Sequence, residues 1–146
     1  MGAGVVRLEG VSKTYPGGND SILALDGVSL TVREGEFLAV TGPSGCGKST
    51  LLHIMGGMDS PTKGRAFLGG RELTGLGDAA LSRIRREEVG FVYQFFNLLP
   101  TMTAWENVAL PLVLQKKPWA ETARLVERLL DRVGLSNRAS HFPRQL

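Results

Sequence analysis

One segment of the chain combines residue types that bind phosphate groups. It reads Gly42-Pro43-Ser44-Gly45-Cys46-Gly47-Lys48-Ser49-Thr50, a complete match to the pattern G-x-x-x-x-G-K-[ST]. Glycines let such a loop turn successive backbone amides onto a polyphosphate, and the start of a following helix adds partial positive charge. The lysine reaches the β- and γ-phosphates, and the next hydroxyl is a ligand for Mg²⁺. The segment predicts a nucleotide site in which Lys48 stabilises phosphate charge and Ser49 binds Mg²⁺.

Outside this loop the reactive side chains form no catalytic constellation. Cys46 is the only cysteine, so it cannot form an internal disulfide or a multi-cysteine metal site, and we expect the loop to use its backbone. His53 lies among apolar residues, and His141 has no companion Ser, Cys or Asp motif. The predicted nucleotide-binding residues of the loop are therefore Gly42, Ser44, Gly45, Cys46, Gly47, Lys48, Ser49 and Thr50.

The phosphate-binding loop lies between two predicted elements of secondary structure. Residues 37–40 are a continuous apolar run bounded by Gly35 and Gly42, which is typical of a strand covered on both faces. Residues 48–55 follow the loop as a predicted helix, and a second apolar run at residues 89–93 predicts another core strand. A strand, a loop and a helix in this order are the context that the motif requires.

Antiparallel strands precede this core, and helices follow it. An apolar pattern from Val5 ends at a turn at residues 15–18, and strict alternation at residues 28–32 predicts a half-buried strand antiparallel to it. Residues 66–73 predict a short hairpin. The order indicates an α/β fold with three further helices. The first runs from Asp78 as N-cap to Glu88, and the second begins with a capping box at Thr103 and Glu106 and is limited by Pro111. The third has an apolar stripe at Trp119, Ala123, Val126, Leu130 and Val133.

Composition and charge restrict the function further. The 146 residues are 42% hydrophobic and 21% charged, which is typical of a folded globular chain and excludes a disordered or fibrous one. A net charge of +3 is too small for a broad basic face, so we expect no nucleic acid as a partner. The longest uncharged stretch is too short and too polar to cross a bilayer. Any link to a membrane is expected to go through a partner.

With the loop placed, the chain resembles the nucleotide-binding subunit of ABC transporters over almost its whole length. Tyr15 follows the first strand, where the family has an aromatic residue that stacks on adenine; an ordinary edge-strand aromatic is the alternative. Gln94 follows the run at residues 89–93 and matches the glutamine of the Q-loop, which in this family touches Mg²⁺ or the attacking water. A solvent-facing glutamine at a strand end is the alternative for Gln94. The resemblance implies ATP and Mg²⁺ as ligands, with Lys48 and Gln94 in catalytic roles and with Ser49 and Gln94 on the metal.

One stretch resembles the lipoprotein-release and macrolide-export branch of the family more specifically. It consists of residues 95–100, 103–108 and 110–112. The branch implies export or extraction through a membrane permease, a second ATP-binding subunit as a dimer partner, and a cytoplasmic location at the inner face of the plasma membrane. The apolar residues beside Gln94 are expected to form a socket for the permease's coupling helix, with plain core as the alternative: Phe95, Phe96, Leu98 and Leu99.

The chain departs from the family near residue 146. Residues 141–146 resemble the approach to the family's L-S-G-G-Q signature, of which only the first residue, Leu146, is present. The signature glycines, the Walker B aspartate with its catalytic glutamate, the D-loop and the switch histidine have no counterpart. We therefore expect one truncated nucleotide-binding domain over residues 1–146, with a β subdomain and P-loop core at 1–99 and the beginning of a helical subdomain at 100–146. It is expected to bind nucleotide without efficient hydrolysis.

Two other functions remain as alternatives. One is a non-catalytic nucleotide-binding or interaction fragment. The other is a different P-loop NTPase, such as a GTPase or a small-molecule kinase, which the absence of an Asn-Lys-x-Asp motif disfavours.

The resemblance also implies an incomplete central sheet. In the family, strands that come after the position of Leu146 lie between the segments that match residues 37–40 and 89–93. Without them these two segments lack their usual neighbours, and their apolar side chains meet water. We expect the chain to self-associate or to bind hydrophobic dyes.

Overall fold

The computed structural model describes residues 4–18 and 20–146, which divide into two compact units. The first unit ends at Gly90, and the second begins at Phe91. The sequence places this division after residue 99. Residues 91–99 belong instead to the second unit. The Asn107 side chain binds both backbone groups of Leu99 there, at 2.8 and 3.1 Å.

The first unit contains a four-stranded antiparallel sheet. Its strands are β1 (Val6–Gly17), β2 (Asp20–Val32), β3 (Lys63–Leu68) and β4 (Arg71–Glu72), in the order β2-β1-β3-β4. Leu8 of β1 lies opposite Leu30 of β2 and Ala66 of β3, so that one apolar row crosses the sheet. This sheet confirms the predicted antiparallel strands and the hairpin at residues 66–73.

Two helices cover the apolar face of this sheet. Helix α1 (Lys48–Met55) has the predicted bounds, and helix α2 (Asp78–Glu88) begins one residue earlier than predicted because Gly77, and not Asp78, is its N-cap. Asp78 is instead the first helical residue, where its charge still complements the helix dipole. The buried core between the helices and the sheet consists of Leu8, Val11, Leu25, Ile54, Ala66, Leu68, Leu73, Leu81 and Ile84.

The two predicted core strands do not form. Residues 37–40 and 89–93 have no regular secondary structure. Phe37 is 93% exposed, and Val92 is fully exposed. A strand requires a neighbour that completes its ladder of hydrogen bonds, and neither segment pairs with any strand of the described ranges. The prediction of strands covered on both faces is therefore wrong, whereas the expected exposure of their apolar side chains is observed.

The second unit is helical. Helix α3 (Ala104–Leu114) starts with the predicted capping box, in which Glu106 N–H donates to Thr103 Oγ1 and Thr103 N–H donates to Glu106 Oε2. These hydrogen bonds lower the pKa of Glu106. Pro111 does not end the helix as predicted, because its carbonyl accepts from Gln115 N–H at 3.1 Å and closes the next turn. Across the described ranges, no helix has both the length and the apolar character that spanning a membrane requires.

Helix α4 (Trp119–Arg132) packs on α3 through part of the predicted stripe. Val126 and Leu130 are buried as predicted, and the third buried residue is Thr122, which the apolar pattern did not include. Trp119 and Val133 are each 66% exposed because they lie at the two ends of the helix. The Trp119 ring contacts that of Trp105 in α3, with the ring centres 5.1 Å apart.

Replacement of Thr122 by an apolar residue is expected to stabilise the folded chain. Its side chain is 1% exposed, and its hydroxyl has no hydrogen-bond partner in the described part of the chain. A buried hydroxyl without a partner costs roughly 1–3 kcal/mol. We expect Thr122→Val to raise the free energy of unfolding, by about 1 kcal/mol, in urea titrations followed by circular dichroism. The control, Thr101→Val at an exposed position, is expected to change the free energy of unfolding little. A lower urea midpoint for Thr122→Val would contradict the conclusion that the buried hydroxyl is destabilising.

Candidate functional site

The loop that carries the phosphate-binding motif is built around glycines. Gly45 and Gly47 have φ angles of +80° and +90°, in the left-handed region that favours glycine. A Cβ at Gly47 would lie 2.3 Å from the carbonyl oxygen of Ala24 in β2, so no larger residue fits there. Strand β2 therefore holds the loop against the sheet.

Helix α1 begins at the end of this loop. Gly47 is its N-cap, and the Gly47 carbonyl accepts from Leu51 N–H at 2.9 Å. No side chain caps the helix, and the first turn contains no acidic residue. The amides of Lys48, Ser49 and Thr50 lack intrahelical acceptors, as in every first turn, and the helix dipole adds positive charge at the same place. The chain between residues 37 and 58 also has no Asp or Glu. This end of α1 can therefore bind an anion.

Lys48 lies across the loop. Its ammonium donates to the carbonyl oxygens of Gly42 at 2.9 Å and Pro43 at 2.5 Å, and it is 3.6 Å from the exposed thiol of Cys46. Because an ammonium has three donors in rotatable positions, it can exchange these carbonyls for phosphate oxygens. The structure thus brings together all the loop residues that the sequence predicts: Gly42, Ser44, Gly45, Cys46, Gly47, Lys48, Ser49 and Thr50.

The donor set also fits Mg²⁺ bound together with phosphates. The Ser49 side chain is exposed in the first turn of α1 and offers a hydroxyl oxygen. Within the described ranges, no group of three His, Cys, Asp or Glu side chains could hold a metal by itself. Mg²⁺ usually takes only one or two protein oxygens and completes its shell with water and substrate phosphates. The loop suits that mode of binding.

Tyr15 lies near the end of β1 and is held by its hydroxyl. The ring is partly buried, and the hydroxyl donates to Asp59 Oδ2 at 2.7 Å. The pairing of β1 with β3 ends at Ser12, so Tyr15 has a neighbouring strand on one side only. There it faces Ile22 of β2, two residues before Ala24, whose carbonyl touches the phosphate-binding loop.

Asp59 is a polar contact of Tyr15 that the sequence patterns did not reveal. It accepts from Lys13 Nζ at 2.6 Å and from Ser60 N–H at 2.7 Å. Burial would raise the pKa of Asp59, but the hydrogen bonds from Lys13, Tyr15 and Ser60, with the charge of Lys13, together lower it below its usual value. Asp59 is therefore ionised at neutral pH. No local spacing connects residues that are 44 positions apart, so the sequence patterns gave no signal for this contact.

Gln94 lies in the second unit. Its side chain is exposed, in a segment without regular secondary structure. Phe95 and Phe96 next to it are 75% and 90% exposed, so the alternative that these side chains form plain core is wrong. A cavity of about 470 Å³ adjoins this segment within the second unit, and it is lined by Phe96, Asn97, Leu98, Leu135, Pro143 and Leu146.

Comparisons with known proteins agree with the fold and the loop. The family model described as ABC transporter matches residues 25–146. An uncharacterized ABC transporter ATP-binding protein of Thermotoga maritima is 47% identical over 97% of this chain and 61% of its own length. The lipoprotein-releasing system ATP-binding protein LolD of Pseudomonas fluorescens is 43% identical over 97% of the chain and 63% of its length. The chain thus spans about three fifths of these relatives.

Two further relatives extend the comparison. The macrolide export ATP-binding/permease protein MacB of Bdellovibrio bacteriovorus is 43% identical over 97% of this chain, which corresponds to 22% of MacB. The ATP-binding cassette MJ0796, solved as a dimer in a post-hydrolysis state with ADP and phosphate bound, superposes with a TM-score of 0.89 at 42% identity. That match covers 97% of this chain and 62% of MJ0796. It confirms the predicted α/β fold of the P-loop NTPase type.

Proposed function

The chain belongs to the ABC transporter family, and from this we propose that it binds ATP with Mg²⁺ as part of the ATP-binding subunit of a membrane transporter. The observation that supports the proposal most directly is the loop at residues 42–47. Its glycines, the open amides at the start of α1 and the Lys48 ammonium converge on one place that suits a polyphosphate.

Each residue of the site has a proposed role. The amides of the loop and of the first turn of α1 bind the phosphate oxygens, and Lys48 stabilises negative charge on the β- and γ-phosphates. Ser49 supplies an oxygen to Mg²⁺. For Gln94, a role on the metal or on the attacking water rests on the resemblance to the Q-loop alone. Mg²⁺, when bound, neutralises charge on the phosphates. Tyr15 stacks on the adenine ring, since its ring is partly accessible and its hydroxyl is fixed.

We extend the proposal to the partners. The names of LolD and MacB refer to lipoprotein release and macrolide export, and MJ0796 is a dimer. By analogy, this chain would act at the inner face of the plasma membrane, with a permease and a second ATP-binding subunit. The exposed side chains of Phe95 and Phe96, beside the apolar cavity of the second unit, suit contact with a permease helix.

A second candidate function is nucleotide binding without turnover. The acidic pair Glu87 and Glu88 ends a helix and not a strand, and both carboxylates are bound to arginines: Glu87 to Arg83 at 3.1 Å and Glu88 to Arg71 at 3.0 Å. Neither is placed as the base that activates water. This observation favours a chain that binds ATP and does not hydrolyse it by itself.

We expect the purified chain to bind ATP with Mg²⁺ in calorimetry, more tightly than GTP, and to release no phosphate above the buffer rate. The expected lack of turnover rests on the second candidate function, in which neither Glu87 nor Glu88 activates water. Failure to bind ATP would overturn the proposed function. Phosphate release that disappears in Lys48→Ala would show instead that the chain is a competent ATPase.

A further inference from the structure

A cluster of three side chains fixes Tyr15, and we call it the Tyr15 anchor: Lys13, Tyr15 and Asp59. Lys13 Nζ donates to Asp59 Oδ1 at 2.6 Å and to the carbonyl of Ser60 at 2.8 Å, while Tyr15 donates to Asp59 Oδ2 at 2.7 Å. The Lys13 and Asp59 side chains are 13% and 27% exposed. This anchor differs from an ordinary surface ion pair, because it is partly buried and both carboxylate oxygens are engaged.

The anchor restricts the Tyr15 ring. A hydroxyl bound to a fixed carboxylate leaves the ring little rotational freedom about its side-chain bonds. The Lys13 ammonium lies over one face of the ring, 4.9 Å from its centre. A planar group can therefore stack only on the other face. An ordered ring binds such a group without the entropy cost of ordering it first.

The anchor is also joined to the phosphate-binding loop. Asp59 follows α1, and its N–H donates to the carbonyl of His53 in that helix at 3.3 Å. The other end of α1 carries the amides of the loop. Strand β2 gives a second connection, because it pairs with Tyr15 at Ile22 and touches Gly47 at Ala24.

We propose that Asp59 is a positioning residue for the base of the nucleotide: through the Tyr15 hydroxyl it holds the ring ready to stack. The inference rests on the proposed function, in which Tyr15 meets adenine. It predicts that breaking the anchor weakens the contribution of the base to binding and leaves the contribution of the phosphates unchanged.

The test compares two probes, ATP and inorganic tripolyphosphate, each with Mg²⁺, by calorimetry on the whole chain. Tripolyphosphate occupies the phosphate-binding loop and has no base. Tyr15→Phe keeps the ring and removes the hydroxyl, and Asp59→Ala removes the carboxylate. Each is expected to weaken ATP binding about two- to tenfold, the range for one lost hydrogen bond, with unchanged tripolyphosphate affinity. Tyr15→Ala is expected to weaken ATP binding about tenfold or more, because the ring that stacks on the base is removed.

A double-mutant cycle separates positioning from a general structural effect. If Asp59 acts through the Tyr15 hydroxyl, the double variant Tyr15→Phe/Asp59→Ala binds ATP as weakly as Asp59→Ala and no more weakly. Additive losses would overturn the proposal. Thr74→Val is the matched control: it removes a 2.9 Å hydrogen bond from the backbone N–H of Ala66 in β3, in the same unit. It is expected to leave the ratio of ATP to tripolyphosphate affinity unchanged.

The remaining outcomes separate the two hypotheses. If the wild-type chain binds neither probe, the proposed function fails. If it binds tripolyphosphate and ATP equally well, the phosphate site stands and the inference about Asp59 is wrong. The inference is also wrong if Tyr15→Ala weakens ATP binding and Tyr15→Phe does not. Should Asp59→Ala fail to melt cooperatively, Tyr15→Phe, which removes a single oxygen, decides the question.

Discussion

Lys48→Ala is expected to weaken the binding of ATP with Mg²⁺ by about one to two decades, because it removes charge-assisted hydrogen bonds of roughly 1.5–3 kcal/mol. In the structure the Lys48 ammonium lies across the loop, bound to the carbonyls of Gly42 and Pro43. It is therefore already next to the amides that would bind the phosphates. Isothermal titration calorimetry on the wild-type chain and the variant measures the loss.

The control for this experiment is Lys63→Ala. Lys63 is an exposed lysine in β3, and its replacement changes the net charge by the same amount in the same unit. We expect it to leave ATP affinity nearly unchanged, because charge at a distance is screened by salt. Equal affinity of Lys48→Ala and the wild type would refute the assignment of residues 42–50 as the phosphate site.

The exposed apolar side chains of two segments are expected to affect the solution behaviour of the chain strongly. Phe37 lies in the run before the phosphate-binding loop, and Val92, Phe95 and Phe96 lie in the run around Gln94; all are largely exposed. Apolar patches of this kind bind partners or aggregate. We expect the isolated chain to bind a hydrophobic dye strongly or to self-associate in light scattering.

Substitution identifies which segment is responsible. Phe37→Ser and Phe96→Ser should each reduce dye fluorescence, whereas Leu52→Ser, a change at a half-exposed position of α1, should do so less. A monodisperse monomer with a cooperative melt and no dye binding would contradict the prediction that these exposed side chains bind dye or promote self-association.

The sequence by itself determined where the helix after the glycine-rich loop begins and how α3 is capped. Helix α1 starts at Lys48 as predicted, and Thr103 and Glu106 form the predicted capping box. These features depend on residues within a few positions of one another. Backbone conformation, capping and helix periodicity are local properties, so their patterns can be recognised in one stretch of sequence.

Only the tertiary structure decided the features that depend on distant residues. Apolar runs at residues 37–40 and 89–93 looked like buried strands, but a strand exists only where another segment completes its hydrogen bonds, and the sequence of the run does not contain that partner. Thr122 has a polar side chain, and it is buried only because of the residues that pack around it. The contact between Asp59 and Tyr15 likewise arises because the sheet brings β1 beside the end of α1. Local sequence patterns indicate which side chains could bind a ligand or a neighbour, and long-range packing decides which of them are in contact.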